Sequence, residues 1–311
     1  QHPATHGVLR LILQLRGELI EKAKIDIGYL HRGVEKIAEN KTYQEFMPYT
    51  DRMDYLSPYS NNVALCLAVE KLAEVEVPER AQYIRMICME LARISSHLLW
   101  LGTMVMDAGA ISFFIWTFRE REKIYDIFDE VAGHRFTVSH SRIGGVANDF
   151  TSDAVARIKE FVETFPNELK DWHRLLDRNR IFIDRNKDVG IVRTEDALDI
   201  GATGPVLRAA GYGVDQRIIT PYLKYDEVNF EVPTRLEGDN LARYFVRMEE
   251  MAESIRIIIQ SDGTGHPWRL KVNAPSFRNL QVLENILDGE MVADTVVIIG
   301  GIDPVMGEAD K

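Results

Sequence analysis

The chain has 311 residues, 46% of them hydrophobic, and a formal net charge of -11. That is enough apolar material for one large core or two intimate ones, while the acidic balance argues against a dedicated nucleic-acid binder, which needs surplus Lys and Arg to neutralise phosphates. Cys66 and Cys88, the two cysteines, each stand alone in apolar helical surroundings without a C-x-x-C partner, so they read as core residues and not as a disulfide or as ligands of a metal or cluster.

In chain order, residues 8–16 alternate Leu9, Leu11, Leu13 and Leu15 with mostly polar neighbours, and after Gly17 the set Leu19, Ala23, Ile25 and Ile27 alternates with Lys22, Lys24 and Asp26. This pattern predicts a β-hairpin with one buried face. HRGVEK follows at 31–36, then a polar and aromatic segment containing DRMDYLSPYSNN. Pro78 opens a long helix over 79–107, with Ile84, Ile87, Leu91, Ile94, Leu98, Leu101 and Val105 at helical spacing, and its second half is apolar all round, as in the middle of a bundle. Further helices are predicted over 111–132, over 152–177 with Pro166 interrupting, and over 240–260. The longest near-continuous apolar stretch, 98–106, is far short of the roughly 20 residues of a membrane span, so contact with a membrane is expected from outside the bilayer or through partners.

At the C-terminal end SDGTG predicts a turn, RLKVNAPSF a short strand leading to a helix, and VVIIGGIDP a buried apolar run ending at a break. A helix ending IRIIIQ runs straight into SDGTG without a connector, which predicts a segment missing between 260 and 261. The whole reads as one mainly α domain, residues 1–311. It comprises an N-terminal loop and hairpin (1–30), a helical core (59–260) and a C-terminal α/β segment with small β elements (261–311).

Several constellations carry candidate chemistry. His2 and His6 flank Pro3 ahead of the first strand; their spacing is that of a helical metal pair, but Pro3 and Gly7 disfavour a helix, leaving a metal site, an acid and base pair, or turn chemistry open. DRMDY packs two carboxylates, an arginine and a tyrosine into five positions, and Arg32 and Lys36 of HRGVEK have the same choice between a site and a solvated surface. Asp107 follows nine nearly apolar residues, a depth at which a carboxylate needs a partner such as histidine. GATGPVLRAAG lacks the glycine spacing of a phosphate cradle.

Taken together, QHPATHGVLRL, GYLHRGVEK, DRMDYLSPYSNN, RIGGV, GATGPVLRAAG, YDEVNFEVP, SDGTGHPWRLKVNAPSF and IDPVMGEAD resemble, in order and over the full length, the quinone-site subunit family of respiratory complex I, the proton-translocating NADH:quinone oxidoreductase. The resemblance implies a helical core like that of the nickel-iron hydrogenase large subunit, whose metal is held by two C-x-x-C pairs. Here Asp54 and Ser57, and Val305 and Glu308, stand at those places, so no thiolates remain for nickel.

In that family the emptied cavity is the head-group end of a quinone chamber shared with the neighbouring subunit that carries the terminal 4Fe-4S cluster. The resemblance therefore implies His6 and Tyr55 as proton donors to the quinone, Asp107 as the acid paired with His6, His2 as a residue positioning that loop, and Arg32 and Arg52 near the neighbour's cluster. It implies no prosthetic group on this chain itself. Implied partners are the iron-sulfur subunit, other peripheral-arm subunits and a membrane-arm subunit at the quinone entrance, with no nucleic acid, and the implied place is the cytoplasmic face of the bacterial cell membrane. Such a subunit is a component of an enzyme and is not active alone. One departure stands out: the family's histidine near the cluster matches Thr137, with His134 and His140 to either side. A scaffold without catalytic residues, or the equivalent subunit of a ferredoxin- or F420-fed relative, are the alternatives.

Overall fold

The computed structural model describes residues 7–261 and 275–309. The loop of His2 and His6, the turn at 262–265 and the strand expected at 269–273 lie outside them. Fourteen α-helices and two antiparallel two-stranded sheets make up the described residues.

Strands β1 (Arg10–Arg16) and β2 (Leu19–Asp26) form the expected hairpin, with Leu13 opposite Ala23 and Leu15 opposite Ile20. The register shifts between Gln14 and Leu15, leaving Glu21 as an extra residue in β2. Such a bulge moves the following positions to the other face. Ile20 is therefore buried at 1% exposure in the place that simple alternation gives to Leu19, which is 41% exposed.

Short helices α1 (Val34–Ala38) and α2 (Tyr43–Thr50) follow, the latter begun by a capping box in which Thr42 and Glu45 satisfy each other's backbone N–H. Then come α3 (Pro58–Leu72), α4 (Glu79–Asp107) and α5 (Ile111–Ala132). Pro78 precedes the first turn of α4, whose 29 residues span about 43 Å and are buried on nearly every side from Ile84 to Val105. Gly102 is what lets α5 lie close: a Cβ there would meet Thr117 Oγ1 at 2.4 Å. Trp100 on α4 is 1% exposed and donates its indole N–H to Gly300 O at 2.7 Å. A side chain of that size contributes about 3 kcal/mol of burial to the core.

Beyond α5, β3 (Ser141–Arg142) and β4 (Gly145–Val146) form a small hairpin, so these short strands lie in mid-chain, and near the C-terminus the described β contact is one bridge, Leu19 to Met291. Helix α6 (Ser152–Leu176) runs without a break through Pro166. Its buried face of Ala154, Ile158, Phe161, Phe165, Leu169, Trp172 and Leu176 outweighs the lost backbone bond and the ring clash, a cost of about 3 kcal/mol. Helices α7 (Arg180–Asn186), α8 (Thr194–Ile200), α9 (Gly204–Ala209) and α10 (Gln216–Ile219) are short, and α11 (Asn240–Gln260) returns across α4. The chain ends in α12 (Pro275–Ile286), α13 (Thr295–Ile302) and α14 (Met306–Ala309).

Two apolar clusters result. The larger joins α3 to α6 with α11, and both cysteines are buried. The smaller joins the β1–β2 hairpin to α8, α9 and the C-terminal helices, closed by Ile20 N–H to Glu290 O at 3.0 Å and Gly289 N–H to Ile20 O at 2.8 Å.

The core also buries charge, much of it in matched groups. Arg85 meets Glu70 through two hydrogen bonds; Glu90 accepts from Arg217, Tyr225 and Ser254; Glu250 accepts from Arg208 and faces His97 at 2.8 Å. Burial works to push Glu250 and Asp215 up, yet Arg208 and His97 hold Glu250 well below its ordinary range, and Arg217 brings Asp215 down to about 2.

Candidate functional site

A cleft of about 410 Å³ is lined by Leu30, Arg32, Arg52, Tyr55, Leu56, Leu99, Arg121, Phe136, Thr137 and Gly307. Its size and mostly apolar wall suit a small organic ligand.

Tyr55 lies in the tight turn between α2 and α3. That turn is held by the Asp54 carboxylate, which accepts the N–H of Leu56 at 3.1 Å and of Ser57 at 3.3 Å, while Asn61 donates to Asp54 O at 3.1 Å. From the far end of the chain Gly307 backs onto the ring: a Cβ there would stand 2.9 Å from Tyr55 Cε1 and 2.7 Å from Met53 O. On the opposite flank Phe136 is tilted against Tyr55, with ring centres 6.4 Å apart. The two segments that the hydrogenase likeness equates with thiolate pairs, 54–57 and 305–308, thus meet in this wall. Among the described residues no group of three His, Cys, Asp or Glu side chains gathers to hold a metal.

Burial, then the carboxylates of Asp54 and Asp303, push the Tyr55 phenol up to about 12, with Arg32 pulling the other way. The phenol is therefore protonated, and able to donate, throughout the physiological range. Burial and the neighbouring Asp303 push the Asp54 carboxyl up to about 6, against the two backbone N–H groups it accepts.

Arg32 and Arg52 stand together at the exposed rim, Arg32 Nη2 donating to Arg52 O at 2.7 Å and Arg52 Nη1 to Pro48 O at 2.6 Å. The carboxylate of Asp51 is 3.8 Å from Arg52, and is itself buried. DRMDY is thus a turn capped by its own arginine as well as a wall of the cleft.

Asp107 does not line the cleft. It is the last residue of α4, two turns and roughly 12 Å along the axis from Leu99. It is half-buried, shallower than its apolar run suggests, because α4 ends there and the chain leaves through exposed Gly109 and Ala110. Its expected partner His6, and His2, lie outside the described residues. Thr137, matched to the family's histidine near the cluster, lines the cleft. His134 is exposed, whereas His140 is buried with Nε2 donating to Asn148 O at 2.8 Å, which leaves Nδ1 to accept from Tyr59 Oη. Burial first, then nearby Arg142 and Arg85, lower its pKa, so it is a neutral core histidine.

The structure therefore brings together Tyr55, Arg32 and Arg52 from the sequence expectations and adds Arg121, Gly307 and the apolar wall. Arg121 sits in FREREK, whose charge density gives no sign of burial.

A family model described as "Respiratory-chain NADH dehydrogenase, 49 Kd subunit" matches residues 107–261 and 258–311. The chain is 57% identical to an NADH-quinone oxidoreductase subunit of Salinibacter ruber over 378 aligned positions, covering 100% of this chain and 84% of that protein. It is 50% identical to an NADH-quinone oxidoreductase subunit of Chloroherpeton thalassium, covering 100% and 86%, and 43% identical to one of Methylacidiphilum infernorum, covering 100% and 90%. With the matched segments converging on the wall that seats Tyr55, the chain belongs to the 49 kDa subunit family of respiratory-chain NADH dehydrogenases.

Proposed function

We propose that this chain forms the quinone head-group site of a proton-pumping NADH:quinone oxidoreductase, beside the terminal 4Fe-4S cluster of a neighbouring subunit. The observation that carries this reading is the seating of the Tyr55 phenol in an apolar cleft with two arginines at its rim. A quinone that has taken two electrons carries strongly basic oxygens and needs a donor within hydrogen-bond reach at each end of its ring. Tyr55 serves one oxygen and His6 the other, with His2 positioning the loop and Asp107 paired to His6. Loss of the His6 proton then leaves an uncompensated carboxylate, a change able to drive remote proton movement. Arg32 and Arg52 face the cluster-bearing subunit.

The relatives' names carry both NADH and quinone, which favours this reading over a ferredoxin- or F420-fed equivalent. No helix among the described residues is long and apolar enough to cross a membrane. On the family resemblance the chain is read as a peripheral-arm subunit on the cytoplasmic face, meeting a membrane-arm subunit at the quinone entrance. The 378 aligned positions against 311 residues, and family matches that split at 258–261, support a stretch present in relatives and missing at 260/261.

The test is Tyr55→Phe in the assembled complex. Quinone reductase turnover is expected to fall ~100-fold, the scale of a lost general acid, with Asp107→Asn giving a smaller loss and both variants assembling. Near-complete turnover in Tyr55→Phe would instead favour a scaffold.

A further inference from the structure

Arg121 enters the cleft from α5 in a state unlike that of any other cation around it. It is 4% exposed, whereas Arg32 and Arg52 lie exposed on the outer rim of this chain. Its Nε donates to Ser95 O and Oγ, both at 3.1 Å, tying α5 to α4. Nη2 is buried without a hydrogen-bond acceptor, and the guanidinium forms no ion pair among the described residues. Glu122, the carboxylate acting on it from α5, is already engaged by Arg135.

Arg243, also buried without an ion pair among the described residues and with its Nε lacking an acceptor, differs in that both of its Nη groups are held. Its guanidinium is enclosed by Gly190 O and Gly238 O, both at 2.7 Å, and by Asn240 Oδ1. Arg121 instead has one end tied and the other turned to aromatic faces, Tyr125 at 4.8 Å and Phe118 at 5.3 Å. Tyr125 packs edge-on against Phe136 with ring centres 6.1 Å apart, and Phe136 flanks Tyr55. A cation with no ion-pair partner, held in apolar surroundings, acts at far longer range than one in water.

Resting on the quinone reading, we propose that Arg121 is the electrostatic residue of the cleft, an unneutralised cation that favours the anionic over the neutral form of a bound aromatic dione ring. The two electrons come from the neighbouring subunit's cluster and leave negative charge on the ring oxygens until two protons arrive to complete the diol. Arg121 holds that charge in the interval and gives up no proton. The carboxyls of Asp54 and Asp303, which act on Tyr55, oppose it, and Arg32 and Arg52 of the lining assist it.

The test compares the binding of two probes to the assembled complex, 2-hydroxy-1,4-naphthoquinone in its ionised form and neutral 1,4-naphthoquinone. Arg121→Met is expected to weaken the ionised probe about tenfold and the neutral one less than about twofold, a differential of the size that one desolvated charge contact supplies. Arg121→Lys restores the ratio. Arg121→Gln, which keeps a donor for Ser95, is made alongside so that a loosened α5 does not decide the outcome. An unchanged ratio in both neutral variants, or a Lys variant as impaired as Met, overturns the proposal. If Tyr55→Phe abolishes turnover while the ratio holds, this inference alone falls; if neither probe binds the unaltered complex, the quinone reading falls with it.

Discussion

Two regions of this molecule use the same residue types to opposite ends. In the core, Glu90, Asp215 and Glu250 are surrounded by arginines and hydroxyl donors, and each is held below its ordinary carboxyl range despite burial. Around the cleft, Asp54 faces Asp303 and is pushed up to about 6, Tyr55 is pushed up to about 12, and burial lowers the pKa of Arg121. Matched charges fix a structure; unmatched ones leave protons and fields available to a ligand. The difference lies in the neighbours supplied and not in depth.

The comparison breaks most readily at Glu90. Glu90→Ala leaves Arg217 and Arg93 facing each other in the core, and a destabilisation of about 3–5 kcal/mol is expected, read as a fall in the thermal midpoint or yield of the assembled complex. An unchanged midpoint would mean that the core network is no more than decoration. A smaller effect is expected at the cleft wall, where Gly307→Ala drives a methyl into Tyr55 and Met53 O. Strain of roughly 1–3 kcal/mol is expected there, and turnover should drop about tenfold while the core stays intact. Normal turnover would show that the ring has room to shift.

The subtlest contrast is in pH. Asp54, with a folded pKa of about 6 against an ordinary 3.8, binds more protons folded than unfolded between these values, so it makes stability decline as pH rises from about 4 to about 6. Asp215, at about 2, does the reverse: its contribution is full above about 4 and is lost as pH falls toward 2. Asp54→Asn should remove the decline and leave the acid limb in place, a difference visible in midpoints measured across pH. A decline that persists in the variant would assign it to another group.

Much of this is legible in the amino-acid sequence. Pro78 and the helical spacing gave α4 its bounds, and the alternating leucines gave the hairpin. The bulge at Glu21 was not legible, because a single inserted residue leaves the composition of both strands unchanged while exchanging Leu19 for Ile20 in the core. Pro166 misled because its local cost is visible in sequence and the seven buried side chains that offset it are not. The capping box at Thr42 and Glu45 was there to be read, and would have placed α2 just ahead of the Tyr55 turn. At the site, Tyr55, Arg32 and Arg52 came through long motifs. Arg121 and Gly307 did not: the burial of one depends on Ser95 across a helix interface, and the need for the other depends on a ring from the opposite end of the chain.

That last contact orders events in time. The seat of Tyr55 is built partly by Gly307, and the N-terminal hairpin closes against Gly289 and Glu290. During synthesis both wait, half-made, for the final helices to emerge, so a ribosome that stalls before them leaves a long helical bundle with no finished pocket to load.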